Sequence, residues 1–169
     1  MKFRIVLFAL CIFTFIGYSQ DSPKDNITTY ILVRHAEKDL SDPSNRNPNL
    51  TTEGKERANN LVAILKDIHI DKVYSTNYKR TLQTAEPLAK DRKIEIELYD
   101  PRKIYDKAFQ EITKGKTSLI VGHSNSTPTL VNKIIGKEKY QSIDEKVYSK
   151  LFIITLQDDK VSDMILNFN

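Results

Sequence analysis

The sequence predicts one α/β domain: a three-layer sandwich with a mainly parallel central sheet, helices on both faces and a closing C-terminal hairpin. Three observations carry that expectation. Short apolar runs with β-branched members recur at Tyr30–Val33, Val73–Ser75 and Leu119–Val121, as in strands buried on both sides. Segments with helical spacing of apolar residues lie between them, and such alternation implies a parallel sheet covered on both faces. Two further apolar runs, Leu151–Leu156 and Val161–Phe168, flank Asp158-Asp159 and predict the hairpin.

The N-terminus stands apart from this pattern. Lys2 and Arg4 form a basic head, Ile5–Ile16 is almost wholly apolar, and Gly17 and Ser19 place small residues before Gln20. That layout predicts a signal peptide at 1–19 and hence a periplasmic or secreted protein. The apolar run is shorter than the roughly 20 residues that span a bilayer, which argues against a retained anchor and against membrane insertion after cleavage. Leu10 precedes Cys11 where a lipoprotein signal needs a small residue. Cys11 is the only cysteine, so the mature chain would hold no disulfide and no thiol nucleophile. Polar residues 20–28, with Pro23, read as a flexible tether, leaving 29–169 as a single domain.

Within the domain, Tyr30–Val33 is the first strand, and Ser41–Asn49 is a loop with two prolines and three asparagines. A helix is expected from about Thr52 to Lys66, because Ala58, Leu61, Val62 and Leu65 share one face and Thr51 can cap it. The second strand, Val73–Ser75, leads into a helix through Leu82, Ala85 and Ala89 that Pro87 should kink. Ile94–Tyr99 alternates apolar and acidic residues, as a strand with one wet face does. Ile104, Ala108 and Ile112 mark a helix stopped by Gly115. After Leu119–Val121, Pro128 lies in the first turn of a helix whose Leu130, Val131, Ile134 and Ile135 face inward, and Gly136 ends it.

Ligands of such sheets bind beyond the carboxyl ends of the strands. There the sequence places Arg34-His35-Ala36-Glu37-Lys38, then Ser75-Thr76-Asn77-Tyr78-Lys79-Arg80, then Tyr99-Asp100, then Gly122-His123-Ser124-Asn125. Two arginines, two histidines and an acid on one rim suit phosphate. Guanidinium groups grip phosphoryl oxygens in pairs and keep their charge. A neutral histidine held by its other nitrogen can attack phosphorus, a second can stabilise charge, and a carboxyl can supply a proton. Arg57 is expected to face solvent or pair locally, and His69, beside Asp71, to be exposed and idle. Metal binding by His35 and His123 is disfavoured, because two arginines beside a cation repel it.

Four segments in order resemble the histidine phosphatase (phosphoglycerate mutase-like) superfamily over about residues 30–135. They are Leu32-Val33-Arg34-His35-Ala36-Glu37-Lys38, Leu50-Thr51-x-x-Gly54-x-x-Arg57-Ala58, Tyr74-Ser75 through Arg80-Thr81-x-x-Thr84-Ala85, and Val121-Gly122-His123-Ser124. The resemblance implies that His35 is the phosphorylated nucleophile and that Arg34, Arg80 and His123 form the phosphate pocket. It implies no metal and no organic cofactor. Asp100 is the first choice of general acid, with Glu97 and Glu37 as alternatives, and Asn125 either contacts phosphate, orients His123 or merely forms a turn. Ala36 replaces the usual glycine, which is tolerable unless that backbone needs a positive φ. The longer acid-bearing insertion typical of phosphoglycerate mutases is missing.

The expected activity is therefore an exported phosphatase acting on phosphomonoesters, with a phosphate-transferring mutase or a non-catalytic binder of phosphorylated ligands as alternatives. A phosphorylated small molecule or a phosphoprotein would be the substrate. The Ser41–Asn49 loop and the segment after Tyr99 would wall the pocket. Losing Lys2 and Arg4 lowers the basic count of 26 by two against 22 acids, and the surplus is scattered rather than striped, so no nucleic-acid partner is expected. Oligomeric state leaves no signal in the sequence.

Overall fold

The computed structural model describes residues 27–168. The expected signal peptide at 1–19 and most of the tether at 20–28 lie outside the described residues. Thr28, assigned to the tether, is instead the first residue of strand β1 (Thr28–Arg34). It is buried, pairs with Leu156, and accepts a hydrogen bond from the Gly115 amide. A β-branched residue next to an apolar run extends a strand rather than ending a tether.

After β1 come α1 (Thr52–Ile64), β2 (Lys72–Ser75), α2 (Lys79–Arg92), β3 (Ile96–Leu98) and α3 (Lys107–Thr113). Then follow β4 (Thr117–Gly122), α4 (Ser126–Ile135), β5 (Lys150–Gln157) and β6 (Lys160–Asn167). The strands form one open six-stranded sheet in the order β3-β2-β4-β1-β5-β6. β3, β2, β4 and β1 run parallel, and the β5–β6 hairpin adds antiparallel to β1. The expected α/β sandwich with its closing hairpin is the fold the chain adopts.

Side-chain alternation along the strands divides the core. On one face Tyr30, Leu32, Tyr74, Ile120, Phe152 and Ile154 pack against Phe109 of α3 and Leu130, Val131 and Ile134 of α4. On the other, Ile31, Val33, Val73, Leu119, Val121 and Leu151 pack against Leu61 within α1 and Leu65 just after it, and Ala85, Leu88 and Ala89 of α2. Helices thus shield both faces of the central strands, so their amides must pair within the sheet. That pairing fixes the register at which the strand ends emerge.

Three local details refine the sequence reading. α1 is capped as expected, the Thr51 hydroxyl accepting from Gly54 N at 3.1 Å. α2 runs through Pro87 as one element, although proline has no N–H to give the preceding turn. The helix expected from Ile104, Ala108 and Ile112 is shorter and turned. Asp106 caps it by accepting from Phe109 N at 2.8 Å, so it begins at Lys107, and Phe109 and Thr113 face inward. Ile104 is buried ahead of it, while Ala108 and Ile112 are exposed. A capping carboxylate fixes where a helix starts and therefore which residues share its buried face.

Candidate active site

The parallel pairing sets the site. Arg34 lies opposite Gly122 and Ser75 opposite Val121, so the chain leaves β1, β4 and β2 side by side. The His35 amide donates to Gly122 O at 2.9 Å, continuing the ladder one residue past the strand. His35 and His123 thereby face each other edge to face, ring centroids 5.6 Å apart. The α2 N-terminus brings Arg80, and the α4 N-terminus starts just after His123. Both helices start at residues that line the site, and the positive ends of their dipoles favour an anion there.

His35 is 3% exposed, and its Nδ1 lies 2.8 Å from the Ala36 carbonyl oxygen. A carbonyl can only accept, so Nδ1 carries the proton and Nε2 keeps a free lone pair. Burial pushes this imidazole down to about 3, and the Arg34, Arg80 and His123 charges push the same way. The ring is therefore neutral at physiological pH. Ala36 itself is not among the positive-φ residues, and its amide donates to the Thr84 hydroxyl at 3.0 Å, so alanine fits where glycine is usual.

The His123 ring is set by a relay of threonines. Thr81 donates to the Thr76 and Tyr78 carbonyls, and Thr76 donates to the Thr81 hydroxyl oxygen at 3.0 Å. With its proton committed, the Thr76 oxygen accepts from His123 Nε2 at 2.9 Å. His123 Nδ1 is left facing Arg80 Nη2 at 3.5 Å. Burial first, then the Arg80, Arg34 and Lys38 charges, lowers His123 to about 4. Both histidines are thus uncharged at physiological pH. The Arg80 guanidinium stacks 4.4 Å from the Tyr78 ring, and its buried Nε has no hydrogen-bond partner among the described residues.

His35, Lys38, Arg80, His123, Ser124, Asn125, Ser142, Ile143 and Glu145 line a hollow of about 520 Å³. A larger one of about 1000 Å³ adjoins it, sharing His123 and Asn125 and running past Tyr78, Tyr99, Asp100, Arg102 and Lys133. Asn125 begins α4, its side chain accepting from Ser126 N, and is exposed to both hollows. The Ser41–Asn49 loop, expected to wall the pocket, lines neither. Asn47 accepts from Lys79 N and Asn49 from Gln83, which holds the loop against α2 instead.

Arg34 is placed differently from Arg80. Its side chain is 1% exposed and stands behind the hollow. Nη1 donates to the carbonyls of Asp144 and Val147 at 2.9 and 3.0 Å, Nη2 to Glu145 Oε2 at 2.7 Å, and Tyr148 stacks 4.2 Å away. Its Nε is buried without a partner among the described residues.

The three carboxylates expected to handle protons are engaged elsewhere. Asp100 accepts from Arg102 N at 3.0 Å and pairs with the Arg102 guanidinium at 3.2 Å, contacts that hold its carboxyl below the usual range. It lies in the larger hollow, outside the one His35 lines. Glu97 pairs with Lys72 on β2 at 2.5 Å. Glu37 is gripped by Arg57, Nε at 2.8 Å and Nη2 at 2.7 Å, the local pairing expected of Arg57. His69 is exposed and meets only Asp71, at 3.1 Å.

Sequence reasoning missed Glu145, from the irregular segment between α4 and β5. It lies 111 residues from Arg34, and no motif or periodicity marks it. The available signal was weak: an acid-rich Asp144-Glu145 just before β5, whose pairing with β1 carries it to the rim. Among the described residues, no group of three or more His, Cys, Asp or Glu side chains is placed to hold a metal ion, and no helix is long and apolar enough to cross a membrane.

Residues 30–101 match the family model described as histidine phosphatase superfamily (branch 1). No curated protein matches the chain. Among solved structures, the chain is similar to the protein histidine phosphatase SixA complexed with tungstate, with a TM-score of 0.66 and 17% identity over 82% of this chain and 96% of that one. It is similar to the alpha-ribazole phosphatase from Shigella flexneri (TM-score 0.63, 17% identity, 83% and 96% covered). It is also similar to the phosphoglycerate mutase from Bacillus anthracis str. Sterne (TM-score 0.59, 18% identity, 85% and 94% covered). At such identities the structural likeness speaks for the fold, and the family model for the segment holding Arg34, His35 and Arg80. Residues 30–101 thus match the histidine phosphatase superfamily (branch 1), and the described domain has the fold of the phosphatases and the mutase to which it is similar.

Proposed function

We propose that the chain is an exported phosphatase that hydrolyses phosphomonoesters through a phosphohistidine on His35. The observation that carries the reading is the His35 ring itself. Its Nδ1–H is fixed on the Ala36 carbonyl, and its bare Nε2 shares a hollow with Arg80 and His123. A buried neutral imidazole with one nitrogen tethered is an aimed nucleophile that needs no deprotonation. Arg80 would hold the phosphoryl oxygens in the favourable field of the two helix N-termini, and His123 would donate to one of them once a bound dianion raises its pKa. Nε2 attacks phosphorus as the ester oxygen leaves, and water then displaces phosphate from the histidine. Export rests on the leader-like residues 2–19 alone.

A site with no acid near the nucleophile would favour a non-catalytic binder. Glu145 lines the His35 hollow, so that condition is not met. The test uses protein without residues 1–19. His35→Ala should abolish release of phosphate from a panel of phosphomonoesters, and an acid-free quench of the unaltered protein should trap phosphate on a histidine. Near-normal turnover by His35→Ala would overturn the mechanism.

A further inference from the structure

We propose that Glu145 is the acid–base residue of this site, a role that rests on the phosphohistidine reading of His35. Among the described residues it is the one carboxylate lining the hollow with His35 and His123. Glu37, Glu97 and Asp100 are each bound to a basic partner elsewhere. Glu145 is held differently. Oε2 accepts from Arg34 Nη2 at 2.7 Å, Oε1 accepts from the Ser124 hydroxyl next to His123, and the side chain stays 66% exposed on the solvent side of the hollow. It sits on a segment without regular structure, tied at Ile143 N to Ser124 O and at Asp144 O to Arg34. The carboxylate is thus carried by a short strap anchored on both sides of the phosphate site.

The Ser124 hydrogen bond, then the Arg34 and Lys38 charges, keep this carboxyl below the usual range. The groups facing it are Arg34 from β1, His35 and Lys38 after it, Arg80 from α2 and His123 after β4, with Tyr148 on its own segment. A phosphoryl group entering the hollow draws on the Lys38 charge that helps keep the carboxyl ionised, and it brings negative charge beside the carboxylate. Both effects favour the protonated form. A substrate arriving as its monoanion carries the proton, since a phosphate monoester's second ionisation lies at about 6.

The balance then closes. In the first step Nε2 of His35 bonds to phosphorus, the phosphorus–oxygen bond to the alcohol breaks, and Glu145 gives its proton to the leaving oxygen. The ring becomes a phosphoimidazolium, its Nδ1–H still on Ala36 O. In the second step water attacks phosphorus, gives a proton to the Glu145 carboxylate, and the phosphorus–nitrogen bond breaks. His35 returns neutral and Glu145 returns protonated.

Glu145→Gln keeps size and hydrogen bonding, and Arg34 keeps its Asp144 and Val147 acceptors, so the fold should persist. The comparison is between an alkyl ester, phosphoserine, and an aryl ester, p-nitrophenyl phosphate, whose phenolate leaves without a proton. General acid–base groups contribute about 10²–10⁴-fold, so kcat/KM should fall by about that factor on the alkyl ester and at least tenfold less on the aryl ester. With the aryl ester the second step should become limiting, giving a burst of p-nitrophenol equal to the enzyme and accumulated phosphohistidine. Glu145→Asp should restore part of the alkyl activity. Equal losses on both esters, or no burst, would overturn the assignment and leave Glu145 only an anchor for Arg34. Absence of phosphohistidine in the unaltered protein would instead sink the His35 reading.

Discussion

At the residue scale, the two histidines decide how the protein behaves in acid. Both are folded as neutral rings, His35 at about 3 and His123 at about 4, whereas in an unfolded chain each titrates near 6.5. Below about 6.5 the unfolded state takes up protons that the folded state does not. The stability linked to these rings is therefore intact above that value and is lost progressively as pH falls through the window toward 3–4. Each ring contributes at most about 1.4 kcal/mol per pH unit, less for the partly solvated His123. Urea midpoints at pH 7 and pH 5 should differ for the native sequence, and the difference should shrink in His35→Gln. An equal drop in the variant would mean that His35 is not buried neutral. Arg34, His35, Arg80 and His123 were legible as a cluster at neighbouring strand ends, although Arg34 backs the hollow that the other three line. Glu145 was not, because its partner Arg34 lies in another strand far away in the chain.

At the element scale, the Leu50-Thr51-x-x-Gly54 segment has a packing reason. A Cβ on Gly54 would meet Glu37 O at 2.3 Å and Glu37 N at 3.0 Å, both backbone atoms that cannot swing aside. The first turn of α1 therefore rests directly on the chain two residues past His35. Gly54→Ala would gain roughly 0.5–1 kcal/mol of helix preference. Pushing backbone from backbone costs about 1–3 kcal/mol, so the clash should win. Urea denaturation should show a net loss of about 1–2 kcal/mol, with turnover reduced because the His35 loop must shift. Unchanged stability and activity would show that α1 does not brace that loop. The helix elements were read well where periodicity and caps agreed, as in α1 and α4. α3 was misread because its apolar spacing ignored the Asp106 cap, which sets the phase of the whole helix.

At the scale of the whole molecule, the described domain holds a site open to solvent at the carboxyl ends of its central strands, and the proposed export rests on the residues before it. If 1–19 is removed on export, protein produced with its leader should begin at Gln20 by mass spectrometry of the cell-free fraction. A chain beginning at Met1 and kept inside the cell would remove the exported part of the proposal. The sequence by itself determined the fold class, the parallel core strands, the closing hairpin and the placing of Arg34, His35, Arg80 and His123 near neighbouring strand ends. Each of those is written in local period, composition or position at a strand end. Only the tertiary structure decided which carboxylate stands beside His35, that Arg34 backs the hollow rather than lining it, and that both histidines are neutral. Those depend on burial and on partners far apart in the chain, which meet only after β1 pairs with β4 and β5 and the 142–148 segment is drawn over Arg34.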